Sequence, residues 1–369
     1  MDANQIGYEI DFLPVGEGSR SGDAITLRWG KLHSVPPQQT VVVIDAGFAA
    51  NGDQVVNHVK KYYKTDTVDL VVSTHPHVDH IGGLETVIKE LKVRQLAMHC
   101  PWLTTHTSGI SDLFVNGRVS DKSVRDSLKE GIDDAFTLAQ LAKTKGISLV
   151  EPFAGLSMDV SSGKFQILGP SEAYYESLIP QFRVTPAPID KTRDRSYSTN
   201  EEFARQSESL TVETLDDGGQ TTAENDSGAI CALTIGGETL LFTGDAGMPA
   251  LNAAAEQMTS AGIVPSTVSF IQVPHHGSVH NIGPKLLNRL VGPKLSAPQK
   301  IKTAIVSVAA RTEDIKHPSK RVTNAFKRRG AEVYPTGGIA ILHSKNAPQR
   351  EGWGPVQAVP FHNIVEIYK

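Results

Sequence analysis

Cysteine is scarce in this 369-residue chain, which contains only Cys100 and Cys231. Two cysteines exclude a disulfide framework and suit a reducing cytoplasm. Cys100, two residues before Trp102, reads as a buried residue rather than a reactive one. No stretch approaches 18 consecutive apolar residues, so a membrane-spanning helix is not expected, and Met1 to Gln5 does not resemble a secretion signal. A cytoplasmic protein without a membrane partner is the expectation. Excess positive charge is also lacking: a formal net charge of −4 does not advertise nucleic-acid binding. No internal repeat is visible. What remains, 39% hydrophobic and 21% charged residues, is ordinary for a globular protein with a sizeable core.

Against this plain background stands His75-Pro76-His77-Val78-Asp79-His80. It follows the apolar run from Val68 to Val72 and precedes Gly82-Gly83. Alternate side chains of an extended segment point the same way, so His75 and His77 can hold one cation. Asp79 and His80 fall where the chain turns toward a helix expected over 84–91, which aims them at a second cation. Imidazole and carboxylate suit zinc, iron or manganese. A solvated His-rich loop is the plain alternative.

Three further polar residues end apolar, strand-like runs, where open sheets place their ligands. Asp45 closes Thr40 to Ile44, Asp245 closes Thr239 to Phe242 through Thr243-Gly244, and His275-His276-Gly277-Ser278 follows Phe270 to Pro274. Together with the hexad these resemble, in order, the motifs of the metallo-β-lactamase superfamily. A narrower resemblance, over roughly residues 8 to 345, is to the soluble metallo-β-lactamase domain of the competence protein ComEC. It rests on Val15 to Gly18 with Asp23-Ala24-Ile25, Asp45-Ala46-Gly47, the hexad and Leu168 to Ser171. Asn225, Thr243 to Ala246, His275 to Ser278, His317-Pro318 and Tyr334 to Gly338 complete it.

The resemblance implies an α/β fold, the metallo-β-lactamase αββα sandwich with inserted segments, formed by residues 1–369 as a single domain. The stretches around 100–145 and 171–225 look longer than the family core. The second is polar and reads as an insertion or lid. Two divalent ions, Zn²⁺ or Mn²⁺, are expected. His75 and His77 hold one, Asp79 and His80 the other, Asp245 lies between them, and His276 completes the second site. His275 becomes a neighbour that orients a ligand or the substrate. A water shared by two cations ionises near pH 7 and attacks carbonyl or phosphorus. Many relatives carry another ligand in a Pro-Gly-His turn, where this chain has Gly169-Pro170-Ser171. His99 could fill that gap.

Phosphodiester hydrolysis, with nucleic acid or a small phosphate ester as substrate, is the first functional expectation. His317 would donate a proton or grip phosphate, with Asn225 and Ser278 on substrate oxygens. A second reading of His317 is a helix-start residue before Pro318. Lys316, Lys320, Arg321, Lys327, Arg328 and Arg329 could form a phosphate-binding rim or simply a solvated helix face. A small-molecule hydrolase acting on a lactone, thioester or cyclic nucleotide, and a metal-bound module without turnover, remain open alternatives.

The remaining organisation is read from periodicity. Paired strands are expected over 8–45 and a helix around 54–64. Val124, Leu128, Ile132, Phe136 and Leu141 recur at near-helical spacing. A short Ala-rich helix is expected after Pro249, a helix from Ser319 to Arg329, and a closing strand near the C-terminus.

Overall fold

The computed structural model describes residues 4–16, 20–113, 120–160, 162–183, 204–310 and 317–367. Glu17 and Gly18, Lys316 and the middle of the expected lid lie outside the described residues. Two seven-stranded mixed sheets face each other. The first runs in the order Ile341–Lys345, Gly7–Phe12, Ala24–Lys31, Gln38–Ala46, Leu70–Val72, Gln95–Ala97 and Ser148–Val150. The second runs Ala331–Pro335, Lys302–Val306, Phe270–Gln272, Glu238–Phe242, Ile230–Ile235, Gly163–Gly169 and Ser157–Val160.

The layers follow from side-chain alternation. Along Val41-Val42-Val43-Ile44, Val42 and Ile44 join the core between the sheets, while Val41 and Val43 face outward into a helical layer. A strand buried on both faces reads as a continuous apolar run, which is why no polar alternation marks it. Phe12, Trp29, Phe165, Phe242 and Phe270 fill the space between the sheets. Helices cover each outer face. Met248–Ser260, for instance, starts with Pro249 in its first turn and buries Ala250, Leu251, Ala254, Ala255 and Met258 at helical spacing. The result is the expected αββα sandwich.

Most local expectations hold. The periodic stretch from 121 becomes two helices, Asp121–Gly131 and Asp133–Thr144, and the helix expected around 54–64 runs as Gly52–His58 continued by a π-turn over Val59–Tyr63. The basic segment departs from its expected rim. Lys320 pairs with Glu366, Lys327 with Glu332, and Arg321 with Thr214 and Asp216. Arg328, wholly buried, grips Glu208 and the carbonyls of Ser209 and Val212, while Arg329 holds Glu213. The three arginines neutralise the acidic stretch 208–216 as an internal clamp, while Lys320, expected to meet substrate, is paired with Glu366. That clamp also ties down the far end of the expected lid. Its near end is the helix Glu172–Leu178.

Candidate metal centre

The parallel strands deliver their loops to one edge of the sandwich. Leu70–Val72 leads into the hexad, Glu238–Phe242 into Asp245, Phe270–Gln272 into His275 and His276, and Lys302–Val306 into Ser307. Open sheets collect their ligands in this way, at the carboxyl ends of parallel strands. Asp79 and His80 sit in a single helical turn, Val78–Ile81, that begins as the chain leaves the sheet.

Four of the histidines, His75, His80, His275 and His276, are held by one ring nitrogen so that the other faces inward. His80 Nδ1 lies 2.7 Å from Asp45 Oδ2. Thr74 donates its hydroxyl to the same carboxylate at 2.6 Å, so its oxygen accepts from His75 Nδ1 at 3.0 Å. His276 Nδ1 donates to the Ser307 carbonyl at 3.0 Å. For His275 the orienter is Asn281: its amide nitrogen donates to the Asp245 carbonyl at 2.7 Å, which leaves its oxygen to accept from His275 Nδ1 at 2.8 Å. Such outer contacts fix the tautomer and the ring direction of ligating histidines.

The inward nitrogens converge on one carboxylate. His80 Nε2 and His275 Nε2 each lie 3.4 Å from Asp245 Oδ2, and His75 Nε2 lies 3.8 Å from it. His75 Nε2 and His77 Nδ1 are 3.0 Å apart. His276 Nε2 is 3.9 Å from Asp245 Oδ1 and 3.8 Å from Asp79 Oδ2. Ligands around a cation with bonds of about 2.1 Å lie roughly 3.0–3.4 Å from one another, in octahedral or tetrahedral geometry respectively. The buried atoms His80 Nε2, His276 Nε2, Asp245 Oδ1 and Asp23 Oδ1 have no hydrogen-bond partner. Buried polar atoms are almost always paired, so four of them around one point fit divalent cations.

Electrostatics agree. Burial keeps His75 well below the ordinary imidazole range, lowers His77, and pushes His275 down to about 4. Burial works against charge on His276 and His80 too, but the carboxylates of Asp245, with Asp79 and Asp45 respectively, outweigh it. His276 is pushed up to about 9, and His80 is raised well above the ordinary imidazole range. Asp245 is held far below the carboxylate range against its own burial by His275, His80 and His276.

Other expected residues fall nearby, with different roles. Asn225 is buried, gives its amide to Thr221 at 2.8 Å with the same nitrogen 3.5 Å from His275 Nδ1, and leaves Oδ1 unpaired. Ser278 Oγ accepts from the His280 backbone at 3.2 Å. His317 stands where Pro318 packs against Gly277 and Ser319 N bonds the Gly277 carbonyl, close enough that its charge disfavours charge on His275. His99 does not fill the ligand gap. It is stacked on Tyr175 at 4.3 Å, deep in the helical layer, and burial pushes it down to about 3. Asp23, Thr74, Gln272 and Asn281 were not foreseen as site residues. Asp23, fully buried and bonded by Gln272 Nε2 at 2.8 Å, stood in the sequence only as part of the ComEC-like signature.

Residues 37–102 match the sequence model of the metallo-beta-lactamase superfamily, a stretch that contains Asp45 and the whole hexad. The match supports that superfamily. No curated protein matches this chain. Among solved structures, the metallo-beta-lactamase fold protein YhfI from Bacillus subtilis is 9% identical with a TM-score of 0.41, over 91% of this chain and 100% of that one. A diphosphatase from the PhnP family is 9% identical with a TM-score of 0.40, over 92% and 99% of the two chains. A putative metal-dependent hydrolase from Parabacteroides distasonis is 10% identical, TM-score 0.37, over 88% and 99%. No helix among the described residues is long and apolar enough to cross a membrane.

Proposed function

We propose that this chain is a metal-dependent hydrolase of phosphodiesters. The observation that carries the reading is the convergence of inward-facing histidine nitrogens on Asp245, with His80 Nε2, His276 Nε2 and Asp245 Oδ1 all buried and unpaired. His75, His77 and His275 would hold one divalent cation and Asp79, His80 and His276 the other, with Asp245 shared. His275 thereby supplies the ligand that Gly169-Pro170-Ser171 lacks. Divalent ions held there, Zn²⁺ or Mn²⁺, would acidify a water to a near-neutral pKa and offset the negative charge that develops during hydrolysis. The remaining work falls to the chain. Asp45, Thr74, Ser307 and Asn281 keep the ring nitrogens aimed. The Ser278 hydroxyl would donate to a phosphate oxygen, Asn225 Oδ1 would accept from a substrate hydroxyl, and His317 would protonate the leaving oxygen.

The ComEC-like signature supports the phosphodiester reading, and the internal pairing of the Lys320–Arg328 cations favours a small phosphate ester over a long polynucleotide. Duplex binding draws its affinity from free cations laid along a phosphate track. The test is purified protein with Mn²⁺ or Zn²⁺ against bis(p-nitrophenyl) phosphate, cyclic nucleotides, linear DNA, RNA, and a panel of lactones and thioesters. Cleavage of small phosphodiesters, with slower attack on polynucleotide, is the expected result. Turnover of a lactone or thioester without phosphodiester cleavage would overturn it, and metal binding without any hydrolysis would leave a binding module.

A further inference from the structure

A second donor cluster lies apart from the metal centre, between the segment after Gln95–Ala97 and the helix Glu172–Leu178. Its centre is His106, which is buried, with its ring edge-on to Phe153 and Tyr175 at 5.8 Å each. Glu151 pins this ring. Its Oε1 accepts from the Cys100 backbone N–H at 2.9 Å, which leaves Oε2 to accept from His106 Nε2 at 2.5 Å. With Nε2 committed as donor, Nδ1 is the nitrogen left to face outward. It meets Glu172 and Glu176, whose carboxylates lie within 4.8 Å of it and of each other.

We propose that His106 Nδ1, Glu172 and Glu176 bind a structural divalent cation of the zinc type, with Glu151 as the carboxylate that orients the histidine. The geometry supports this on three counts. His106 Nδ1 and Glu176 Oε1 are 3.4 Å apart, long for an N–H···O bond but matched to the edge of about 3.4 Å in a tetrahedron with ~2.1 Å metal bonds. A carboxylate on the far nitrogen of the ring is the outer contact that ligating histidines almost always have. Glu172 and Glu176 are four residues apart on one helix face, a like-charge pair that repels unless a cation lies between them. Among the described residues neither pairs with a lysine or arginine. One nitrogen and two carboxylates leave a fourth position for water.

Such an ion would fasten together two inserted segments that leave opposite sheets. His106 follows a strand of the first sheet, whereas Glu172 and Glu176 follow Gly163–Gly169 of the second. The competing state of the same atoms is a protonated His106 bridging Glu151 and Glu176 without metal.

The test uses the full chain, loaded with Zn²⁺ and freed of excess, with metal counted by mass spectrometry and melting followed with and without Zn²⁺. Glu172→Gln with Glu176→Gln alters partly exposed side chains and keeps the fold. His106→Gln is the second variant. Each is expected to lose about one equivalent of metal and much of the Zn²⁺-dependent rise in melting temperature, while phosphodiester turnover stays within about twofold of wild type. The Asp245→Ala protein is expected to keep the His106 equivalent while losing those of the catalytic centre, so the two sites fail independently. Unchanged metal content in both the Glu172/Glu176 and His106 variants would overturn the proposal and leave the ion pair.

Discussion

Replacing Asn281 by leucine separates the support of the metal centre from its ligands. The side chain is fully buried and touches no substrate position; it donates to the carbonyls of Asp245 and Ala246 at 2.7 and 3.3 Å and accepts from His275 Nδ1 at 2.8 Å. Leucine keeps the volume and removes all three contacts. Leaving the two buried carbonyl oxygens unpaired costs about 1–3 kcal/mol each, so a loss of about 2–6 kcal/mol of stability is expected. The freed His275 ring can turn or take the other tautomer, which should weaken metal binding by about 10- to 100-fold. Asn281→Asp is the control: it keeps the acceptor for His275 but sets an oxygen against two carbonyls, so stability falls while affinity is kept or raised. Calorimetric titration of the metal-free protein and a melting curve on both variants decide the matter. An Asn281→Leu protein whose metal affinity stays within about twofold of wild type would refute the orienting role of Asn281 and, with it, the argument that His275 presents Nε2 as a ligand.

Three further outcomes are expected. Asp245→Ala should lose catalytic-centre metal and hydrolysis together, because Asp245 faces every inward nitrogen; retained metal and full activity would remove its shared role. His317→Ala should keep its metals and melting temperature while turnover drops by about 10²- to 10⁴-fold, the range of general acid–base catalysis. A fully active variant would return His317 to a helix-start residue. His99, buried and with neither ring nitrogen bonded, is pushed down to about 3, so below the unfolded value near 6.5 only the unfolded chain takes up its proton. Stability is therefore lost as pH falls from about 6.5 toward 3, by about 2 kcal/mol at pH 5, and His99→Phe should flatten that part of the denaturant-midpoint profile. An unchanged acid slope would contradict it.

The candidate metal centre was legible because its residues end apolar strands, and a strand buried on both faces announces itself as an unbroken Val/Ile run. The hexad needed no tertiary information beyond that. His275 was harder: whether its ring turns inward depends on Asn281 and on backbone torsions that no local pattern encodes. The basic stretch from Lys320 to Arg329 misled because most of its partners, Glu208, Glu213, Asp216 and Glu366, lie between 46 and 120 residues away along the chain. Charge that looks free in one dimension is spent in three. His99 was drawn toward the site by its position at a strand end, yet that end feeds the helical layer rather than the catalytic edge.

His275, His276 and Gly277 follow one another with φ of 47°, 54° and 83°, three left-handed residues in a row. For histidine that conformation costs roughly 1–2 kcal/mol per residue. The turn is thus a loaded spring, kept bent by the neighbouring packing of Pro318 and by the hydrogen bonds to Asn281 and Ser307. A lineage selected only for endurance would relax it, since glycine at 275 removes that residue's share of the strain along with the ring. His275→Gly is accordingly expected to melt higher than wild type when both are metal-free, and lower when both are loaded. That crossing of two melting curves would mark the point where the chain gives up stability to hold an ion.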